Sequence, residues 1–273
     1  MKKLLSALII CTLISPLIIS CDSGGDDPDV PITDDTAGTD DTTDDSSDDT
    51  TDDTTDTTSF FRMTLEERGT VDGPLFNRFI YEYTPQGYID RYTVEDLEND
   101  LTFVFEFNYS ADGEKLESIA RDGSIYAEFE YTGDVITIQN GTFGSTTTRS
   151  EYTYDANGFL ASEDYYVNGV FDCRNIYEVT NGNTMVWDYS CQGDYFEYTY
   201  DAKNNPLADF YPEAFMRALP QSLNNALTRY ETTDDELIEY IYIYNSQDYI
   251  TQSNWSNSIF DYEYTYTYET LEL

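Results

Sequence analysis

A repeated spacing of aromatic residues most constrains what this chain can fold into. In Tyr262-Glu263-Tyr264-Thr265-Tyr266, as in several other segments, every second residue is aromatic and the residue between is polar. The tyrosines that end these segments lie roughly 22 to 26 residues apart, with one interval of about twice that length. Two strands of about seven residues and their turns account for this period, so each repeat predicts a β-hairpin. The tyrosines that mark the repeats are Tyr83, Tyr109, Tyr131, Tyr154, Tyr177, Tyr200, Tyr244 and Tyr266.

Turn residues fall where this hairpin pattern requires them. Asp112-Gly113, Asp155-Ala156-Asn157-Gly158, Asn168-Gly169 and Asn181-Gly182 supply residues that accept positive φ angles. The alternation predicts one aromatic face and one solvated face, as antiparallel sheets allow. We therefore expect an all-β domain of about fourteen to sixteen up-and-down strands. Its repeated β-hairpins would form a large curved antiparallel sheet or barrel-like domain.

The long interval between Tyr200 and Tyr244 predicts one short helix inserted between strands. Pro212 suits the first helical position and Pro220 ends the run. Phe215, Met216 and Leu219 are expected to pack against the sheet. The next strand carries Ile241 and Ile243 on the face opposite its tyrosines, which predicts that this strand is covered on both faces, with the helix as the candidate cover.

The beginning of the chain predicts the cellular location of the protein. Lys2 and Lys3 precede an apolar run from Leu4 to Ile19 that is too short to span a bilayer. The closing Ile18-Ile19-Ser20-Cys21 resembles the lipobox of bacterial lipoproteins, which implies cleavage before Cys21 and lipid on that residue. The alternative is an ordinary signal peptide whose cleavage site happens to include a cysteine. The resemblance divides the chain into a signal peptide (1–20), a tether (21–59) and a folded domain (60–273).

The tether is rich in Asp and Thr and contains no Lys or Arg. Such a segment cannot bury enough apolar surface to offset the entropy of ordering, so we expect a disordered acidic spacer. Acidic residues close behind the lipidated cysteine resemble a surface-export signal, which implies an outer-membrane lipoprotein exposed on the bacterial cell envelope. The alternative is retention at the inner membrane, which an Asp directly after the cysteine, here Asp22, marks in some bacteria; the long tether favours export. The whole chain has 13 Lys+Arg against 54 Asp+Glu. Because phosphate binding depends on Lys and Arg, this balance argues against nucleic-acid partners.

Two cysteines remain in the folded domain. Cys173 and Cys191 flank Asn181-Gly182-Asn183 symmetrically. A three-residue loop there would place Thr180 opposite Thr184, Tyr177 opposite Trp187, and Cys173 opposite Cys191. Opposed strand residues lie within disulfide range, so we predict a Cys173–Cys191 disulfide. The alternative, a metal site, has too few ligands for a zinc shell.

The absence of histidine from the sequence excludes Ser-His-Asp and Cys-His catalysis. We expect no enzyme activity, no cofactor and no metal, although carboxylate-pair glycan hydrolysis stays open because Asp and Glu are abundant. Aromatic residues are the remaining candidates for ligand binding, and the alternative is that they hold the sheet together across strands. The candidates are Trp255, in a polar run that no aromatic ladder explains, together with Trp187 and Tyr177.

A more specific resemblance starts at Tyr152-Thr153-Tyr154-Asp155, with Gly158 and Leu160 following. This segment resembles the YD repeat of RHS-type bacterial proteins, and Tyr198-Thr199-Tyr200-Asp201 repeats its first half. Together with the lipobox, the chain is similar to porin-like bacterial surface lipoproteins with YD-like repeats, which implies a curved, partly barrel-like antiparallel sheet. We therefore expect a non-catalytic envelope lipoprotein that binds a protein or a glycan at the cell surface. The alternatives are a carboxylate-based glycan hydrolase and a purely structural envelope component.

Overall fold

The computed structural model describes residues 59–191, 193–208, 210–220, 222–233, 235–256 and 261–272. The predicted signal peptide, the lipidation site Cys21 and nearly all of the predicted tether lie outside the described residues. The first strand begins at Ser59.

The described residues form sixteen antiparallel strands that follow one another around a closed barrel. The all-β, up-and-down prediction is confirmed, and the structure decides for a closed barrel rather than an open curved sheet. The strands are β1 (Ser59–Thr70), β2 (Leu75–Tyr83), β3 (Ile89–Asp96), β4 (Leu101–Tyr109), β5 (Leu116–Arg121), β6 (Ser124–Thr132), β7 (Val135–Phe143), β8 (Thr146–Tyr154), β9 (Leu160–Val167), β10 (Val170–Thr180), β11 (Asn183–Tyr189), β12 (Asp194–Asn204), β13 (Asn224–Glu231), β14 (Glu236–Tyr244), β15 (Ile250–Ser256) and β16 (Asp261–Glu272).

The first and last strands close the barrel. β1 pairs with β16 from Ser59↔Glu272 to Thr70↔Tyr262. This long pairing removes the two sheet edges that an open sheet would expose to other chains. Closure also brings both ends of the barrel sequence to the same end of the molecule.

The barrel has two different ends. The end that carries Ser59 and Glu272, here called the plugged end, holds the turns at 84–88, 110–115, 133–134, 155–159, 181–182 and 245–249. The connection between β12 and β13, residues 205–223, also leaves from this end and is here called the insert. The opposite end, here called the distal rim, holds the turns that the structure describes at 71–74, 97–100, 122–123, 144–145, 168–169, 190–193 and 232–235.

The insert packs inside the barrel. Its helix α1 is short, Glu213–Met216, with Pro212 at its N-cap. Phe215 and Leu219 are buried against the inner wall, as predicted. The predicted cover for β14 is wrong, because Ile241 and Ile243 are 67% and 50% exposed.

The interior is apolar and aromatic, and it divides into two clusters. The larger joins inner residues of β1–β7 to the insert, whose Phe210 has no exposed surface. The smaller contains Phe196, Tyr198, Ala226, Ile238 and Tyr240 on β12–β14. Strand alternation therefore places aromatic residues inward, as the sequence predicts.

The outer wall carries charge at mid-strand. Arg78 on β2 pairs with Glu67 on β1 at 2.9 Å and with Glu95 on β3 at 3.1 Å. On the far side of the barrel, Arg174 on β10 pairs with Asp164 on β9 at 2.5 Å. Opposite charges held directly across from one another stabilise neighbouring strands on a solvated face.

The predicted disulfide between Cys173 and Cys191 is confirmed, with a Cα–Cα distance of 5.1 Å. Tyr177 lies opposite Trp187, as expected. The predicted three-residue loop is wrong, because Thr180 pairs with Asn183 and leaves only Asn181-Gly182 in the turn. A β-bulge between Glu178 and Val179 absorbs the extra residue and restores the register.

Candidate functional site

The three predicted ligand-binding aromatics lie in the smaller half of the barrel. Trp187 and Tyr177 stack with ring centroids 6.0 Å apart, and Trp187 also contacts Phe196 at 5.7 Å. Trp187 and Trp255 both pack against the smaller of the two interior clusters, from opposite sides. The structure thus brings these three residues to one region of the barrel, where their rings face the interior.

The view that no aromatic ladder explains Trp255 is wrong. On β15 it pairs with Tyr240 on β14 and with Tyr262 on β16. Its ring stacks on Tyr262 with centroids 4.2 Å apart and tilts against Tyr240 at 5.8 Å. The polarity of this run has a simple cause, since Gln252 and Asn254 lie on the outward face and Ser253 faces inward.

A polar network next to Trp187 was not predicted. The Glu163 carboxylate on β9 accepts hydrogen bonds from Ser150 Oγ at 2.5 Å, from Asn175 Nδ2 at 2.9 Å and from the Tyr177 hydroxyl at 3.2 Å. Ser150 and Asn175 are almost fully buried. Burial raises the pKa of the Tyr177 hydroxyl, and the Glu163 charge raises it further.

Two buried polar atoms in this region have no hydrogen-bond partner in the described structure, Asn175 Oδ1 and Trp187 Nε1. Buried polar atoms ordinarily have partners. An acceptor and a donor thus lie beside an aromatic stack and a carboxylate. A water molecule or another small polar molecule would satisfy both groups. The sequence signal was the polar residue at an inward strand position, which the abundance of Asp, Glu and Ser obscured.

A second buried polar group lies in the part of the barrel that contains the larger interior cluster. Arg68 Nε donates to Glu66 Oε1 at 2.6 Å, and the Tyr81 hydroxyl donates to Glu66 Oε2 at 3.0 Å. The guanidinium stands over the rings of Phe79 and Tyr264, 4.3 and 4.9 Å from their centroids. Aromatic faces on both sides stabilise this cation away from water.

The Glu66–Arg68 pair lines a small internal cavity together with Asn225 and the first residues of the insert. Asn225 is fully buried, and its Oδ1 has no hydrogen-bond partner in the described structure. Its backbone N–H is held by Asp201 Oδ1 at 3.0 Å. The cavity is suited to a water molecule that would donate to this oxygen.

The repeat tyrosines hold neighbouring hairpins together at the plugged end. Tyr109 donates to Ile89 O at 2.5 Å, and Tyr131 donates to Leu116 O at 2.8 Å. Ile89 and Leu116 are the first residues of β3 and β5. The full set of these bonds, here called the tyrosine ladder, is made by Tyr83, Tyr109, Tyr131, Tyr154 and Tyr200. Burial raises the pKa of Tyr131 to about 12, which keeps this donor protonated well into the alkaline range.

The residue after the tyrosine closes the turn. Asp155 Oδ1 accepts from the backbone N–H groups of Asn157 at 2.8 Å and Phe159 at 2.9 Å. Those backbone bonds lower the pKa of Asp155. Asn245 performs the same function for the 245–249 turn. In the Tyr154-Asp155 pair, the tyrosine hydroxyl therefore bonds the preceding hairpin and the aspartate carboxylate caps the turn that follows.

Within the described residues, no group of three or more Asp, Glu or Cys side chains is arranged to hold a metal ion. Among those residues, no helix is long and apolar enough to cross a membrane.

No protein-family model matches this chain, and no curated protein matches it in sequence. Among solved structures, it is similar to a porin-like protein from Bacteroides uniformis, with 11% identity and a TM-score of 0.52. That alignment covers 75% of this chain and 96% of the other. A porin-like protein from Bacteroides vulgatus aligns at 12% identity with a TM-score of 0.36, covering 77% of this chain and 99% of the other. At such identity the likeness to the Bacteroides uniformis protein concerns the barrel fold.

Proposed function

We propose that this protein is a non-catalytic lipoprotein of the bacterial cell envelope. Its barrel would stand in water at the cell surface and bind a protein or a glycan there. Lipid on Cys21 would attach it to the outer membrane, and the acidic tether would hold the barrel away from that membrane.

The charged outer wall is the observation that carries this proposal. A barrel that spans a membrane needs an apolar outer band about 25 Å tall, and an Arg at the middle of that band costs about 2–4 kcal/mol. Here Arg78 and Arg174 lie outward at mid-strand with acidic partners. The interior is filled by aromatic residues and by the insert. These features favour a water-exposed barrel over a transmembrane pore.

A barrel in water needs a separate anchor, and the chain offers one. The described part begins at Ser59 on the plugged end, so a tether from Cys21 would reach the barrel there. Its greatest reach is on the order of 120 Å at about 3.3 Å per residue. Several acyl chains on one residue exceed the roughly two-anchor threshold for stable attachment.

Fatty-acid labelling tests the anchor. Cells producing the full chain with Cys21→Ser are expected to show no labelled protein and no chain held in the membrane fraction. Cys11→Ser is the matched control and should keep both. A Cys21→Ser chain that stays labelled and membrane-bound contradicts the proposal.

Bilayer conductance tests the water-exposed barrel. The purified full chain should produce no discrete channels in a planar bilayer. Reproducible single-channel steps from the unchanged chain would assign it to the pore class instead.

Ligand screening separates the binder from its alternatives. We expect the full chain in detergent to bind a glycan on an array or a defined envelope protein, with no turnover of polysaccharides. Turnover that Glu163→Gln abolishes would support the hydrolase, because this carboxylate is already held by Ser150 and Asn175. The absence of both binding and turnover would favour the structural component.

A further inference from the structure

The distal rim presents an apolar surface beside β1–β4. Val71, Leu75, Leu97 and Leu101 lie in or next to two turns and are exposed by 39% to 48%. Leu97 N donates to Phe76 O at 2.9 Å, which places the second turn against the first. We call these four residues the rim patch.

Backbone hydrogen bonds hold the rim patch in place. Val71 N donates to Asp261 O at 3.0 Å, and Gly73 N donates to Thr70 O at 2.9 Å. Asp96 Oδ1 accepts from the backbone N–H groups of Glu98 and Asn99 at 3.1 and 3.0 Å. A surface ordered before contact loses less entropy on binding.

The same two turns carry acidic side chains. Asp72, Glu98 and Asp100 are exposed beside the rim patch. Among the described residues of the distal-rim turns, none is Lys or Arg. The plugged end differs, since its turns and insert include Lys115 and Arg217. The rim patch is thus aliphatic and bordered by negative charge.

We propose that the rim patch docks a partner protein whose contact surface is apolar at its centre and ringed by Lys or Arg. This inference deepens the proposed function and rests on it. Aliphatic residues favour a protein, because sugars are recognised by stacking on aromatic rings. The carboxylates favour a basic ring, because complementary charge steers association and excludes acidic partners. They also repel anionic lipid.

The position of the rim patch agrees with this role. Ser59 and Glu272 pair at the plugged end. A tether that enters there leaves the distal rim at the side farthest from the anchor. The tether itself is acidic and would be repelled by Asp72, Glu98 and Asp100.

The experiment uses the full chain in detergent and two synthetic peptide probes, one alternating Leu and Lys and the other Leu and Glu. Fluorescence anisotropy is expected to show binding of the Leu/Lys peptide only, weakening about tenfold between low and physiological salt. Leu97→Ser/Leu101→Ser should weaken it about tenfold, as the loss of central apolar contacts does. Asp72→Asn/Asp100→Asn should reduce the salt dependence. These Asp positions have φ near +55°, which Asn tolerates.

Ile241→Ser/Ile243→Ser is the matched control, because it removes a similar exposed aliphatic pair from the outer wall of β14. Its affinity should equal that of the unchanged chain. Equal loss in this control, equal binding of the Leu/Glu peptide, or no peptide binding at low salt would each overturn the rim proposal. Binding of phosphatidylcholine vesicles that only the Leu97→Ser/Leu101→Ser variant loses would overturn it in favour of a lipid surface. The Cys21 labelling is independent of these outcomes, so failure of the rim proposal is distinguishable from failure of the lipoprotein proposal.

Discussion

The two ends of the barrel are built by different means. At the plugged end, buried aliphatic residues lie at the starts of strands. Examples are Ile89, Leu116 and Ile136, which have no exposed surface. The tyrosine ladder and the insert add hydrogen bonds and ring contacts above them. At the distal rim, short turns at Asp72, Asp100 and Asp122 use positive φ angles, and aliphatic side chains remain exposed.

The comparison shows that one end of the barrel stabilises the fold, whereas the other end presents exposed side chains. Burial and hydrogen bonding concentrate at the plugged end, where the chain also enters the barrel. The distal rim depends on backbone turn geometry and on the Cys173–Cys191 bond, so its side chains are free to contact something else. Substitutions at the two ends should therefore have unequal effects on the free energy of unfolding.

Removal of an insert ring should have the largest effect. Phe210 is fully buried, contacts the rings of Tyr81 and Tyr83 with centroids 5.4 and 5.7 Å away, and accepts at its carbonyl from Ile89 N. Phe210→Ala should lower the free energy of unfolding by about 3–5 kcal/mol, because it opens a cavity in the core. Denaturant unfolding measures this loss.

Phe171→Ala is the matched control at the rim, where the ring is 53% exposed. It should cost under about 1 kcal/mol, as surface substitutions do. Comparable losses in the two variants would break the distinction between the ends.

Loss of the disulfide should be the next largest effect. Cys173→Ser/Cys191→Ser should reduce the free energy of unfolding by about 3 kcal/mol, because the bond constrains a loop of about 17 residues in the unfolded chain. Reduction of the unchanged chain should give the same loss in thermal unfolding, whereas the double variant should not respond to reductant. An unchanged melting temperature in both would show that the rim does not depend on this bond.

Loss of one ladder bond should have a smaller effect. Tyr131→Phe removes the donor to Leu116 O and should cost about 1 kcal/mol, the usual net value of one hydrogen bond. Tyr195→Phe, on the outer wall, should leave stability unchanged. Urea unfolding of both variants decides whether the ladder contributes beyond ring packing.

Alkaline pH tests the burial of the same hydroxyl, which is the main cause of its raised pKa. The pKa of Tyr131 rises from 10.0 to about 12 on folding, so the folded chain holds this proton more tightly than the unfolded chain. Its contribution is complete below pH 10 and is lost as the pH approaches 12. The stability difference between Tyr131→Phe and the unchanged chain should therefore shrink over this interval. A difference that stays constant through this range would contradict the assignment of the proton.

Substitution in the rim patch should have the smallest effect on stability. Leu97→Ser should change the free energy of unfolding by about 0.5 kcal/mol or less, because the side chain is already 42% exposed. Thermal unfolding measures this change beside that of Leu116→Ser, which replaces the fully buried first residue of β5. A large loss at Leu97 would mean that the rim residues serve stability.

Local patterns in the sequence determined most of the barrel. The alternation around Tyr264 fixes which face is aromatic, and Asn168-Gly169 and Asn181-Gly182 mark turns because only a few residues accept positive φ. The Cys173–Cys191 pairing also followed from local strand opposition, although the bulge at Val179 shortened the loop. These features depend on residues close in sequence, which is why a single chain reveals them.

Contacts between distant parts of the chain were decided by the tertiary structure. Closure between β1 and β16 and the position of the insert inside the barrel each join segments that no local pattern links. The insert's apolar residues predicted burial against a sheet without specifying which face, because hydrophobic attraction has no direction. Once the sheet closed, the inner face offered the larger apolar area, and Ile241 and Ile243 stayed in water.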